Sequence, residues 1–164
     1  WLQAIGKDVM IIRNMWAVDG DIFIYDRKGK AIRHINRKGQ GNEEYAATSG
    51  VYLDDEKGEI FVGNRADGSV LVYDLYGNFK RRFKFNGDGF ADFSAFYSLY
   101  DFDNEHFIVQ DSNSGRTFNF TTKEEDLEPR NLFQLISKQD GSVSKEIEIP
   151  LRKRCRKYCS TKRA

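Results

Sequence analysis

The stretches "GDIFIYDRKGKAIRHI" (Gly20 to Ile35) and "GSVLVYDLYGNFKRRF" (Gly68 to Phe83) match position by position. Each is an alternating apolar run ending in Tyr-Asp, followed by two turn residues, a Gly and a second alternating run. Alternation with period two is the spacing of a pleated strand. Asp can bond the backbone just ahead of it, and Gly accepts the left-handed conformation that closes a tight turn, so each stretch is a β-hairpin. A third copy, "NLFQLISKQDGSVSKEIEI" (Asn131 to Ile149), keeps the design with Ser137 to Gly141 as its turn. This repetition constrains the chain more than any other feature, because a repeated unit buries its apolar face only against a neighbour of the same kind.

More strand-like sequence precedes each hairpin: "DVMIIRNMWAV", "GVYLDDEKGEIFVGN" and "FYSLYDFDNEHFIVQD". The middle set predicts four strands in series, roughly Gly50 to Asp54, Glu59 to Asn64, Val70 to Asp74 and Phe79 to Phe85. Gly29 and Gly77 lie 48 residues apart, and Gly77 and Gly141 lie 64 apart, the excess being the polar insert "TTKEEDLEPR". Four-stranded meanders at this spacing are the pattern of β-propeller blades. The expected fold is all-β, a partial propeller over residues 1–150 with blades at about 1–35, 50–85 and 96–149, followed by a basic tail at 151–164. The first blade is expected to lack its innermost strand, since only "WLQAI" precedes Gly6. With 14 Gly, 2 Pro and 14% aromatic residues, composition agrees with strands over helices.

The segment "YDRKGKAIRHINRKGQGNEEY" resembles the six-bladed β-propeller proteins of gut-type bacterial envelopes, relatives of NHL-repeat propellers. In that family an Asp-x-x-Gly-Lys hairpin leads into a Gly-x-Gly-Pro-Gly-Glu-Tyr-like loop. "VYDLYGNFKRRFKF" and "LISKQDGSVSKEIEIP" are similar to its outer hairpins, so the likeness covers most of Gly20 to Pro150. Asn42 and Glu43 stand where the family usually has Pro-Gly, and half the expected number of blades is present. The resemblance implies a fold and a cell-envelope or periplasmic setting more than a reaction.

At 164 residues the chain has the length of one domain. Its net charge of +1 conceals a basic tail, Arg152 to Arg163, with seven Lys or Arg and no acid; in the rest, 19 bases face 25 acids. A mildly acidic body lacks the basic surface that displaces counterions, so no nucleic-acid partner is expected, and only the tail could attract anions. No apolar run is long enough to span a bilayer as a helix. The chain starts at Trp1 without a charged-then-apolar leader, so a targeting segment is expected to have been removed or not included. Cys155 and Cys159 could supply two zinc ligands, but a structural site needs four and His34 and His106 are remote in sequence, so no metal and no cofactor are expected.

"INRKGQGNEEY" (Ile35 to Tyr45) has two glycines one residue apart, like a phosphate-cradling loop. A nucleotide fingerprint needs a third glycine and then a helix, whereas "NEEYAATSGVYLDD" leads into a strand. The segment is therefore read as the crossover from the outer strand of one blade to the inner strand of the next. In a meander the loop between strands two and three emerges at the same end as that crossover, and propellers usually bind partners there. The candidate binding residues are Arg37, Lys38 and Gln40, then Asn64, Arg65 and Asp67, then Asp111, Asn113 and Arg116. Both histidines fall in strands, and "DFDNEHF" lacks the glycine and terminal Glu of a calcium loop. The eight aromatics between Phe83 and Phe102 are read as packing between blades rather than a sugar platform.

The expected function is a non-enzymatic binding or interaction module for an unknown protein or carbohydrate ligand. The alternative is an NHL-like propeller enzyme of lyase or hydrolase type that would need further blades, marked by a stoichiometric bound metal. Three blades cannot by themselves close a ring, so the chain is expected either to be part of a longer protein or to associate with a second copy through its open blade faces.

Overall fold

The computed structural model of the chain describes residues 2–14, 19–85, 99–110 and 133–147. Among the described residues there are twelve strands and no helix. β1 (Leu2–Ile5), β2 (Val9–Arg13), β3 (Ile22–Asp26) and β4 (Ala31–Ile35) form one antiparallel sheet in sequence order. β5 (Thr48–Asp54), β6 (Glu59–Asn64), β7 (Ser69–Asp74) and β8 (Phe79–Lys84) form the second. β9 (Leu99–Asp101), β10 (His106–Gln110), β11 (Phe133–Ser137) and β12 (Val143–Ile147) form the third. These are three meanders of propeller type, as the repeats predict.

The first blade is a correction: it has its innermost strand. Leu2, Ala4 and Ile5 pair with Ile12, Ile11 and Met10 in β2, and Gly6 N–H bonds Val9 O at 2.8 Å to close the turn. A bulge between Leu2 and Ala4 breaks the alternation, which is why this four-residue strand gives no period-two signal.

The three outer hairpins share their chemistry. Asp26 Oδ1 accepts the N–H groups of Lys28 and Lys30, and Asp74 Oδ1 accepts those of Tyr76 and Asn78, each at 2.8 or 2.9 Å. In the third hairpin Ser137 replaces the Asp, Ser137 Oγ accepts Gln139 N–H at 3.2 Å, and the turn is one residue longer before Gly141. All three pairs carry a bulge at the matching place, between Ile24 and Tyr25, Val72 and Tyr73, and Leu135 and Ile136.

Blade two lies between the others, and every residue of β6 is buried. Alternate residues face opposite neighbours: Ile60, Val62, Leu71 and Tyr73 pack with Ile11, Ile22 and Ile24 of blade one. Phe61, Val70 and Val72 pack with Phe107, Val109 and Ile136 of blade three. Phe61 and Phe107 meet edge to face at 4.9 Å. A strand covered on both sides needs apolar residues at nearly every position, and "EIFVGN" and "SVLVYD" show this as near-continuous hydrophobicity.

In blades two and three the turn glycine of the outer hairpin is also a seat for the preceding blade. Gly77 (φ 84°) leaves only 3.1 Å between a would-be Cβ and Ile35 Cγ2, and at Gly141 (φ 76°) a Cβ would come within 2.3 Å of the Lys84 carbonyl oxygen. Glycine is required there both by the left-handed backbone and by the space.

Candidate functional site

The crossover end is organised around Tyr45 and Asn64. Tyr45 is fully buried, donates its hydroxyl proton to Gly20 O at 2.7 Å, and accepts Arg37 N–H at 3.1 Å. Its backbone pairs with the other limb of the loop, Tyr45 N–H to Arg37 O and Gly39 N–H to Tyr45 O, both at 3.1 Å. Glu44 Oε2 accepts Gly41 N–H at 2.9 Å, and Tyr73 donates to Glu43 O at 2.8 Å. Burial raises the pKa of both tyrosines, so both remain neutral donors. The glycine pair therefore belongs to a folded linker whose backbone is bonded within the loop and to both blades, and "INRKGQGNEEY" joins the two.

Asn64, 4% exposed, ends β6 and locks the neighbouring loop to this linker. Its Oδ1 accepts the N–H groups of Ala46 at 3.1 Å, Ala66 at 3.3 Å and Ala47 at 3.4 Å, and its Nδ2 donates to Asp67 Oδ1 at 2.9 Å. Arg65 N–H bonds Ala47 O at 2.6 Å. Asp67 also accepts from Ser69 Oγ at 2.7 Å and pairs with Arg82. Burial would raise the Asp67 pKa, but the bonds from Ser69 and Arg82 outweigh it and hold the carboxyl below the usual range.

The end where loops 36–47 and 65–68 meet thus brings together Asn64, Arg65 and Asp67, as expected, but two of the three are framework. Asn64 is a buried joint, and Asp67 is committed to Asn64, Ser69 and Arg82. Arg37 is drawn away, its Nε donating to Gly77 O at 3.1 Å on the outer turn of blade two. Lys38 and Gln40 lie exposed on the linker, with Lys38 N–H bonded to Asn36 Oδ1 at 2.9 Å. Arg65 presents an exposed side chain from a backbone pinned on both sides. Asp111, Asn113 and Arg116 lie outside the described residues, as do Cys155 and Cys159.

Arg82 was not among the expected residues and is central to this end. It reaches Asp67, donates from Nε to Ser69 Oγ at 3.0 Å and from Nη1 to Asn42 O at 3.0 Å, so it ties the outer strand to both loops. Its neighbour Arg81 faces the other side and forms a two-pronged pair with Glu59 at 2.7 and 2.9 Å, with Lys80 Nζ 2.7 Å from the same carboxylate. Consecutive arginines on a strand must serve opposite faces, and the "RR" of β8 was the available signal.

Several other titratable groups are similarly engaged. His34 Nε2 lies 2.6 Å from Asp21 Oδ1 and stacks on Phe23, a bond that holds the Asp21 pKa down. Asp103 caps Glu105 N–H and His106 N–H at 2.7 Å, and Asp101 pairs with Lys138, so the carboxylates of "DFDNEHF" serve a turn and a blade contact. Among the described residues no group of three or more His, Cys, Asp or Glu is placed to hold a metal. Phe83 packs between blades two and three, while Tyr100 and Phe102 are exposed; Phe90, Phe93, Phe96 and Tyr97 lie outside the described residues.

Glu59 gives a pH prediction. Its nearly buried carboxylate suffers a desolvation penalty, yet the Arg81 and Lys80 bonds outweigh it and bring its pKa from 4.5 to about 2. The unfolded chain takes up this proton near 4.5 and the folded chain resists until about 2. The network's contribution, on the order of 3 kcal/mol, is therefore complete above pH 4.5 and is lost as pH falls through 2. Urea midpoints from pH 7 to pH 2 check this: Glu59→Gln flattens the acid limb, whereas a limb parallel to the wild type contradicts the assignment.

A family model described as 6-bladed beta-propeller matches residues 4–150. The chain belongs to that family. Solved structures agree on the propeller fold. A member of the DUF4221 family from Bacteroides vulgatus is 16% identical, with a TM-score of 0.66, over 91% of this chain and 42% of its own length. A Bacteroides fragilis protein described as exported is 14% identical, with a TM-score of 0.52, over 84% of this chain and 34% of its own length. This propeller chain thus spans less than half the length of either structure. Comparison with the curated proteins gives no match.

Proposed function

We propose that the chain is a non-enzymatic binding module of the bacterial cell envelope, taking a polar protein or carbohydrate ligand at its crossover end. The observation that carries this reading is the pinned pair of loops at 36–47 and 65–68, which hold Arg65, Lys38 and Gln40 at the surface on a backbone fixed through Asn64 and Ala47. Exposed polar groups on a preorganised backbone bind with little loss of loop entropy. The acids point the same way: Glu59, Asp67 and Asp21 are all held ionised by hydrogen-bonding partners, whereas general acid catalysis needs a carboxyl tuned upward. The envelope setting is supported by the description of the Bacteroides fragilis structure as that of an exported protein. Among the described residues no helix is long and apolar enough to cross a membrane.

Amide chemical-shift mapping with soluble oligosaccharides and peptides of envelope origin tests the reading. The expected result is shifts confined to 36–47 and 65–68, with Arg65→Ala weakening the bound species at least tenfold. Shifts centred on the opposite turns at 27–30, 55–58 and 75–78, or an Arg65→Ala variant that binds as wild type, would overturn it.

A further inference from the structure

We propose that the outer seam between blades one and two binds an acidic polysaccharide, Tyr76 receiving the flat C–H face of a hexuronate unit and Arg33 and Arg37 taking carboxylates. Period two places Arg33, Ile35 and Arg37 on one side of the chain as it runs along β4 and leaves it. That side faces blade two, since Arg33 is the register partner of Ile24, which lies in the core shared by the two blades. All three residues meet the outer turn of blade two. Arg33 Cζ lies 4.6 Å from the centre of the Tyr76 ring, Ile35 rests against Gly77, and Arg37 Nε donates to Gly77 O at 3.1 Å. Both sides of this seam are described blades, so the arrangement does not depend on what adjoins the outward faces of blades one and three.

Tyr76 is 68% exposed, and among the described residues no large hydrophobic side chain is more so. Its backbone is nonetheless fixed, its N–H donating to Asp74 Oδ1 at 2.8 Å, and Arg33 covers one face of the ring. The exposure therefore belongs to the other face and the edge, where sugar C–H groups can stack. Arg33 forms no ion pair or hydrogen bond among the described residues, and of the Arg37 side chain only Nε does. Both guanidinium forks can thus take carboxylate oxygens.

The second seam shows the same positions in a structural role. There Arg81, four after its turn glycine as Arg33 is, is held by Glu59 through two hydrogen bonds, and Asp140 stands where Tyr76 stands. In blade one the register place of Glu59 belongs to Val9. The first seam thus keeps the arginine, omits its acid and puts an exposed ring in place of a carboxylate. Its surroundings favour a polyanion: residues 26–38 hold six Lys or Arg, all exposed, and one acid, Asp26, whose carboxylate accepts the Lys28 and Lys30 N–H groups. A neutral glycan would leave both guanidiniums unused, and an acidic peptide or a phosphate brings no flat face to the ring. A uronate carries ring and carboxylate in one unit. A ligand of the crossover end that carries no acid leaves this seam untouched, so the two readings fail separately.

Titration calorimetry of the whole chain with tetragalacturonate tests this. The expected result is binding that rising salt weakens and that methyl esterification of the probe abolishes. Arg33→Ala weakens it about tenfold, and Tyr76→Ala about fivefold. Both side chains are exposed, so the urea midpoints of these variants stay near wild type. Arg33→Lys keeps the charge but loses the planar fork, and recovers only part of the affinity. Lys84→Ala, at an exposed base beside the other seam, stays within about twofold of wild type. The proposal is overturned by an absence of binding at millimolar probe, by equal binding of the esterified probe, or by a Tyr76→Ala variant that binds as wild type. It is overturned equally by polyglutamate or phosphatidylglycerol vesicles binding as tightly, or by a Lys84→Ala loss matching that of Arg33→Ala, since these signal diffuse attraction of any polyanion.

Discussion

Lys138→Met lowers stability by about 3–5 kcal/mol, the cost typical of stranding a buried charge. The Lys138 side chain is 2% exposed, with Nζ 2.8 Å from Asp54 Oδ2, 2.6 Å from Asp101 Oδ1 and 5.2 Å from the centre of the Phe107 ring. Desolvation lowers its pKa, but the bonds it donates to Asp101 and Asp54 outweigh that and the net direction is upward. Removing the ammonium takes the cation away from Asp54, 3% exposed, whose Oδ1 keeps the Lys57 N–H at 3.0 Å. The double variant Lys138→Met with Asp54→Leu recovers most of the loss, since an apolar pair in place of a buried ion pair is often neutral. Urea unfolding at pH 7 decides the matter: a single variant within 1 kcal/mol of wild type would show that this contact between blades two and three adds little.

Tyr45→Ala is expected to cost a similar amount, about 3–5 kcal/mol, as for other fully buried aromatic side chains. The ring lies edge to face with Tyr73 at 6.3 Å, and its hydroxyl joins Gly20 O to Arg37 N–H. Tyr45→Phe keeps the ring and leaves both backbone groups without their partner, at a cost of about 1–3 kcal/mol. The difference between the two variants in denaturant midpoint separates packing from hydrogen bonding. Equal losses would show that the hydroxyl carries the whole effect, and a Tyr45→Ala chain as stable as wild type would show that the linker does not hold blades one and two together.

Strand positions were legible wherever local chemistry acts alone. The turn built from Asp, two residues and Gly depends only on bonds within four residues, so the hairpins at Asp26 and Asp74 could be placed from the letters. β1 was hidden because it is short, bulged and held by its pairing with β2. The candidate site divided along the same line. Loops at one end follow from strand parity, so Asn64, Arg65 and Asp67 could be placed together there, but nothing local says that Asn64 is spent on the backbone of Ala46, Ala47 and Ala66. Arg82 was missed because its partners come from β7, the loop at 65–68 and the linker, with up to 40 residues intervening.

Period-two alternation, turn glycines and a spacing of 48 residues by themselves determined an all-β chain of repeated meanders. Which face of each strand meets which blade, the seating of Ile35 on Gly77, and the burial of Lys138 between Asp54 and Asp101 were decided only by the tertiary structure. The reason is physical: hairpins form from neighbours in sequence, whereas blade contacts such as Arg13 to Thr48 and Lys138 to Asp54 join residues 35 and 84 positions apart, whose pairing no local pattern records.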